Sequence, residues 1–435
     1  MTKKQNQTLI PILIIAGLFF IFGFVTWING SLIPFMKTIN ELTATQSYFV
    51  ASASYISFVI MALPASYVIE KLGYRNSMSI GLIVMGLGAL VFIPAANARA
   101  YWLFLLGIFI QGAGMTLLQT AANPYITILG PIESAAKRIS IMGIANKVAG
   151  ALGALIFGAL LLSGIKEINE KLCTVGEAEK ERLLSTMADS VIMPYVIMAI
   201  ILFVLGVAIR YAPLPHVEAS PIEATDEEGI TKTSIFQFPH LWLGVLTLFV
   251  YVGAEVIAVD TISSYGLSLG FDGSQIKLFP TYTLMAMVGT YALGIVLIPK
   301  YISQATALKS SALLGIVLTL LIVYTTGFTS IMLVALLGVA NALVWPAVWP
   351  LTLEGLGKFT KTASALLIMA IAGGAIIPPL YGWFVDSNKQ ELITQGVSEA
   401  TAVAQASTSG YWILLPLYAI ILYYAIAGHK LGLKK

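Results

Sequence analysis

The chain has 435 residues, 58% of them hydrophobic and only 10% charged, with a net charge of +3 and a mean hydropathy of +0.88. Soluble domains carry about 25% charged residues, so this chain lacks the polar surface to cover itself in water. Disorder, a coiled coil and a disulfide-built module are excluded with it, and the single cysteine, Cys173, allows neither an internal disulfide nor a thiolate metal site.

A helix needs about 20 apolar residues to cross ~30 Å of hydrocarbon. Twelve such segments follow one another, at 9–36, 47–69, 77–96, 101–130, 138–164, 191–212, 239–269, 276–299, 306–326, 329–353, 361–385 and 409–428. Their apolar runs are continuous, without the alternation of a barrel strand, so an all-α membrane protein is expected. The first run has no small-residue cleavage site and reads as a retained span. Twelve spans place both termini on one face. That face carries fifteen Lys and Arg residues against eight on the other, four of the eight sitting in the loop 165–190. The excess predicts cytoplasmic termini in a bacterial inner membrane. The small, scattered net charge gives no reason to expect a nucleic-acid partner.

The chain then repeats itself. Residues 213–238 form a polar stretch rich in Pro and acid, expected to be a cytoplasmic linker between bundles at 1–212 and 239–435. LQTAANPYITILG (118–130) echoes VWPAVWPLTLEGLG (344–357), with Pro124 opposite Pro350, an offset of 226. ISIMGIANKVAG (139–150) echoes LLIMAIAGGAII (366–377), with Met142 opposite Met369, an offset of 227. A similar offset sets Asn29 opposite Glu255. Two repeated six-span halves are the plan of major facilitator transporters, which hold their substrate at mid-membrane between the halves. In the loop between spans 2 and 3, SYVIEKLGYRNSM (66–78) resembles that superfamily's acid-basic-x-Gly-x-basic signature, filled here by Glu70, Lys71, Gly73 and Arg75. It reads as a gating latch, glycine allowing the turn and the charges meeting helix ends; an ordinary basic turn is the alternative.

GFVTWINGSLIP (23–34), QTAANPYITILG (119–130) and GKFTKTASALLIMAIAGGAIIPPLYG (357–382) resemble the fucose:proton symporter family, in particular its glucose/galactose and N-acetylglucosamine permease branch. The resemblance implies a hexose or N-acetylhexosamine carrier working by alternating access. It also implies a departure. The fucose branch couples protons through a span 1 aspartate and a span 4 glutamate, where this sequence has Gly30 and Gln119.

Charges at the bilayer centre cost about 2.5–3.5 kcal/mol on insertion scales, which makes Lys147, Glu255 and Asp260 the sharpest pointers. Glu255 reads as a titrating group, as a permanent ion pair with Lys147, or as a sugar hydrogen-bond partner. Lys147 would contact the sugar or compensate Glu255. Asp260 lies toward the external end of span 7, as a solvated mouth residue or a sodium ligand.

Dehydrated sugar hydroxyls need partners that donate and accept. Asn29, Gln119, Asn123 and Asn146 supply amides on spans 1, 4 and 5, Gln119 and Asn123 sharing one helix face. Any single amide could simply bridge helices. Trp27, Trp345 and Trp349 are candidates to stack on sugar C–H faces, while Trp102, Trp242 and Trp412 fit an interfacial belt. Pro124 and Pro350 are expected to interrupt spans 4 and 10, and Pro378-Pro379 to bend span 11.

Three histidines at span ends or in the linker, with no nucleophile pair and no phosphate loop, argue against an enzyme or an ATP-driven pump. The expectation is a secondary active importer of a hexose or N-acetylhexosamine, coupled to a proton in preference to sodium. It would work as a monomer in the lipid bilayer, with no cofactor beyond the co-transported ion. A proton-coupled drug exporter and an uncoupled sugar facilitator are the alternatives.

Overall fold

In hydrocarbon each backbone N–H and C=O must find its partner within the protein, and an apolar chain meets that demand span by span as helix. The computed structural model describes residues 3–128, 135–214, 234–298 and 300–433, and every regular element among them is helical. Eleven apolar stretches are long enough to cross a membrane. One of them, Phe49–Asn97, holds two spans, because Gly73 breaks it with φ 75° and ψ 166°. Each arm of about 24 residues rises ~36 Å, so the expected twelve spans are present.

Span 1 is Ile10–Ile39, spans 2 and 3 are the two arms of Phe49–Asn97, span 4 is Tyr101–Asn123, span 5 Ile141–Leu172 and span 6 Glu177–Tyr211. Span 7 is Pro239–Asp260, continued by a short helix Ile262–Ser268; span 8 is Gly273–Leu297 and span 9 Gln304–Val323. Spans 10, 11 and 12 are Gly327–Leu353, Thr362–Thr394 and Glu399–Ile426. Within the expected linker, 215–233 lie outside the described residues.

Proline acts differently from expectation. The helix Tyr101–Ile128 runs on through Pro124, Val344–Leu353 contains Pro350, and Gly373–Thr394 contains Pro378 and Pro379. The breaks fall elsewhere. Span 10 breaks at Leu343, ahead of Trp345-Pro346, and span 3 at Val91, ahead of Pro94. A proline ring clashes with the carbonyl four residues earlier, which places each break close to that carbonyl.

In the first half, span 1 packs on span 5, span 4 on spans 2 and 3, and span 6 on span 3. In the second, span 7 packs on spans 10, 11 and 12, span 9 on spans 10 and 12, and span 8 on span 10. Helices in lipid approach through small residues, and here the repeat becomes physical. A Cβ on Gly23 (span 1) would overlap the Asn146 carbonyl (span 5), and one on Gly373 (span 11) would overlap that of Phe249 (span 7). One turn along, Gly150 meets Trp27 and Gly253 meets Ile377. Offsets of 226 and 227 relate both crossings, but the glycine has moved to the opposite partner each time.

The halves meet through spans 5 and 8, spans 2 and 11, and the outer parts of spans 1 and 7. On the face away from the termini the seam is polar and closed. Asp386 of span 11 accepts hydrogen bonds from the Ala44 N–H (3.0 Å), the Thr45 N–H (2.8 Å) and the Thr45 hydroxyl (2.6 Å). Lys166 donates to the Gly270 carbonyl and Thr281 to that of Ala151, both at 3.1 Å. The loop 165–190 folds into two helices, Ile165–Leu172 and Glu177–Asp189. Lys180 and Glu181 of the second helix pair with Glu41 and Arg99. Glu41 and Arg99 are the positive-φ non-glycine residues among those described.

On the terminal face the loop 129–134, next to the expected latch, lies outside the described residues. Glu70, Lys71 and Arg75 are exposed, without an ion pair among the described residues. Lys71 lies instead over the Tyr67 ring, 4.4 Å from its centroid. Exposed charges gain little from pairing; Gly73 supplies the positive φ of the turn, and Tyr74 beside it packs edge-on against Tyr125 of the span 4 helix, ring centroids 6.0 Å apart.

Candidate mid-membrane site

Span 1 breaks at Ile28, and Trp27 and Ile28 at that break pack on Gly150 and Gly153 of span 5. Trp27 is held there by its Nε1–H, which donates to Asn146 Oδ1 at 3.2 Å, and by the absence of a side chain at Gly150. Asn146 puts the next residue, Lys147, at the seam. The Lys147 ammonium stands 3.9 Å from the centre of the Trp27 ring and 2.8 Å from Glu255 Oε1 of span 7. Both side chains of the pair are about nine-tenths buried.

The arrangement answers the three readings of Glu255 in part: it is ion-paired with Lys147 in this conformation. A cation over an indole face gains further stabilisation when desolvated, so Lys147 is satisfied from two sides. The pair also bridges the halves, one member on span 5 and the other on span 7. It cannot outlast a separation of those spans.

Near Glu255 lie buried phenols that the sequence pattern does not single out. Tyr55 (span 2), Tyr251 (span 7), Tyr291 (span 8) and Tyr418 (span 12) all lie within electrostatic reach of its carboxylate. Tyr418 donates onward to Asn341 Oδ1 at 3.0 Å. Position along the spans draws attention to Trp as the stacking residue and leaves the 19 tyrosines unsorted. The available signal is Tyr251, one turn before Glu255 on the same helix.

The other expected residues fall into three groups. Asn29 and Asn146 are buried near Trp27 on spans 1 and 5, each with an Nδ2 that finds no hydrogen-bond partner. Such amides hold donors in reserve for a ligand or water. Gln119 sits about one turn nearer the terminal face, because Thr26 already meets Met115 across spans 1 and 4. It borders a narrow cleft with Leu18, Phe19, Phe22, Leu118 and Ala122, and Asn123, a turn beyond, is exposed. Trp345 and Trp349 stack on each other, centroids 5.5 Å apart and planes at 25°, half-buried against the main core. Among the described residues, the ring that Lys147 lies over is that of Trp27.

Asp260 corrects the expectation of a solvated mouth. It is fully buried, and neither carboxylate oxygen has a hydrogen-bond partner. The closed far-face seam covers the end of span 7, so length along the helix misjudged its access to water.

Comparison with known proteins gives the arrangement its context. The family model described as Major Facilitator Superfamily matches residues 15–385. The chain is 33% identical over 440 residues to the glucose/galactose transporter of Brucella abortus, covering 99% of this chain and 96% of that one. It is 28% identical to the L-fucose-proton symporter of Escherichia coli, over 88% of this chain and 89% of that one. The crystal structure of FucP, a Major Facilitator Superfamily transporter in the outward conformation, superposes with a TM-score of 0.68 at 24% identity, covering 96% of this chain and 98% of that one.

Proposed function

This chain belongs to the Major Facilitator Superfamily as a sugar transporter and not an enzyme, and from that premise we propose that it imports a hexose or N-acetylhexosamine by symport with a cation, a proton before sodium. The bundles 1–212 and 239–435, joined by 213–238, rock about the seam, with both termini in the cytoplasm. The far face then opens outward, and the structure corresponds to a carrier closed toward the outside.

The observation that carries this reading is the Lys147–Glu255 pair, clamped over Trp27 at 2.8 Å between the halves. Pair, amides and phenols offer charged, donating and accepting groups in one place. A polyhydroxyl ligand requires such a set, because a buried hydroxyl left without a partner costs about 1–3 kcal/mol. Trp27, Asn29, Asn146, Lys147 and Glu255 form the centre of the proposed site. Gln119, Asn123, Trp345 and Trp349 line its approach from the terminal face. The names of the relatives, glucose/galactose transporter and L-fucose-proton symporter, point to the same ligand class.

A drug exporter built on this fold would favour an apolar chamber. The described residues put a salt bridge and unpaired amides at the centre instead. Uptake of a labelled panel of glucose, galactose, fucose and N-acetylglucosamine into proteoliposomes, with pH and sodium gradients imposed separately, tests the proposal. Accumulation of one or more sugars under an imposed gradient is expected. Efflux of ethidium with no sugar accumulation would overturn it.

A further inference from the structure

Span 7 carries two buried carboxyls, and sugar binding at the pair involves only Glu255. Glu255 has its charge cancelled by Lys147. Asp260, fully buried, has two oxygens and no partner for either. A carboxylate walled from water and left unpaired is not tolerated as a bare charge. Something must neutralise it when the far face is shut.

The surroundings are built of oxygens. Span 7 passes through Thr261 into Ile262–Ser268 with its backbone still helical there, φ −87° and ψ −20°. Ser263 and Ser264 follow Asp260 by three and four residues, on the same helix face. Both hydroxyls are buried; that of Ser263 has no hydrogen-bond partner, and that of Ser264 faces the Tyr48 phenol. The first half walls the group in. A Cβ on Gly30 would stand 3.1 Å from the Val259 carbonyl oxygen and 3.5 Å from the Asp260 Cα. Tyr48 and Tyr55 lie within electrostatic reach of Asp260, as do Glu255 and Lys147, and the Lys147 ammonium is already committed to Glu255.

We propose that Asp260, with Ser263 and Ser264, is the site of the co-transported monovalent cation, placed at the far-face gate and distinct from the Lys147–Glu255 pair. The assignment rests on the symport reading above. With the far face open, water reaches Asp260 and the carboxylate takes up the cation. Only the neutralised site can be buried, so the gate closes on a loaded carrier. Discharge toward the terminal face, along the same helix past Glu255, leaves a bare carboxylate that drives the far face open again. A proton enters by forming an O–H bond on one carboxylate oxygen and leaves by breaking it; sodium would enter as an ion held by the four oxygens.

The experiment compares wild type, Asp260→Asn and Ser263→Ala/Ser264→Ala in proteoliposomes, with labelled galactose as the probe. Each is assayed under an inward pH gradient, under an inward sodium gradient at equal pH, and in counterflow without either. D260N should lose at least tenfold in gradient-driven accumulation while counterflow persists. Loss confined to the pH arm assigns the proton. Loss confined to the sodium arm, with a tenfold higher sodium requirement in the serine double variant, assigns sodium. D260N accumulating as well as wild type under both gradients overturns the assignment while leaving the symport reading intact. Wild type that exchanges galactose but accumulates it under neither gradient overturns the symport reading, and this site with it. If D260N loses counterflow too, galactose binding to the purified variant by calorimetry decides. Affinity that no longer varies with pH or sodium supports the site, and unaltered ion dependence overturns it.

Discussion

The two halves share their crossings and differ in their chemistry. Span 1 crosses span 5 where Gly23 meets Asn146, and span 7 crosses span 11 where Phe249 meets Gly373. At those same crossings the first half has Asn29 and Lys147, and the second has Glu255 and Gly374. Each member of the ion pair therefore has an uncharged counterpart in the repeat. The fold makes both crossings without a charge at the matching place, so the crossings themselves do not require the pair. The comparison separates two kinds of constraint: steric ones that both halves obey, and electrostatic ones that exist only between them.

The strongest way to break this comparison is at the shared crossings. Gly23→Ala and Gly373→Ala each drive a methyl group into a backbone carbonyl, an overlap that helices in contact over their full length cannot relax. Overpacking in a tight core costs about 1–3 kcal/mol or more. Both variants should yield little monodisperse protein on size-exclusion chromatography in detergent. A well-folded G373A beside a collapsed G23A would show that the crossings are not equivalent.

The ion pair sharpens the other side of the comparison. Removing one member of a buried pair leaves a bare charge and costs about 3–5 kcal/mol. Lys147→Gly and Glu255→Asn, each the residue of the other half, should both lower the thermal midpoint in detergent by several degrees. The double variant should recover more than half of that loss, short of the ~1 kcal/mol owed to glycine inside a helix, yet transport no sugar. Recovery of transport along with stability would reduce the pair to a structural clip.

Next in size is the far-face seam. Asp386 collects three hydrogen bonds from the Ala44–Thr45 turn, while its counterpart in the first half is Ala159. Bonds to a charged acceptor contribute about 1.5–3 kcal/mol each. Part of that is returned by water once the seam opens. Asp386→Ala should raise the reactivity of a cysteine at Ser52, whose hydroxyl donates to the Ala375 carbonyl across spans 2 and 11, in a Cys173→Ser background, at least tenfold toward an impermeant thiol reagent added from the far face. Unchanged labelling would move the seal to spans 5 and 8.

Much of this architecture was legible in the sequence because it is written in continuous apolar runs and in an offset of 226–227 residues. The three intramembrane charges were legible for the same reason, since each interrupts a run. The pairing of Lys147 with Glu255 was only one of several readings, because it depends on how close span 5 comes to span 7, which no single span records. The buried phenols were not singled out because Tyr55, Tyr291 and Tyr418 come from three further spans and come within electrostatic reach of Glu255 only in the folded bundle. Pro124 and Pro350 misled, since a proline's effect falls on the carbonyl a turn upstream and packing can absorb it. Asp260 misled for another reason. Depth along a helix predicts access to water only if the ends are open, and here the end of span 7 is covered by the other half at Gly30. The resemblance points to span 1 at that place for an acid, and the backbone beside Gly30 is that of the acid on span 7.

The smallest effects belong to the loop between spans 2 and 3, where one position tests conformation free of sterics. Gly73 has φ 75° and ψ 166°, and no atom lies within 4 Å of the place a methyl group would take there; this backbone region is essentially glycine-only. Gly73→Ala therefore meets no neighbour and costs only backbone strain, about 1–3 kcal/mol, against the outright overlap at Gly23. Its thermal midpoint should fall by a few degrees with sugar exchange retained. Glu70→Gln and Arg75→Gln, exposed and without an ion pair among the described residues, should stay within about 0.5 kcal/mol of wild type. If R75Q instead destabilises as much as G73A, the basic residue holds a contact in this conformation, and the turn owes its shape to charge as well as to glycine.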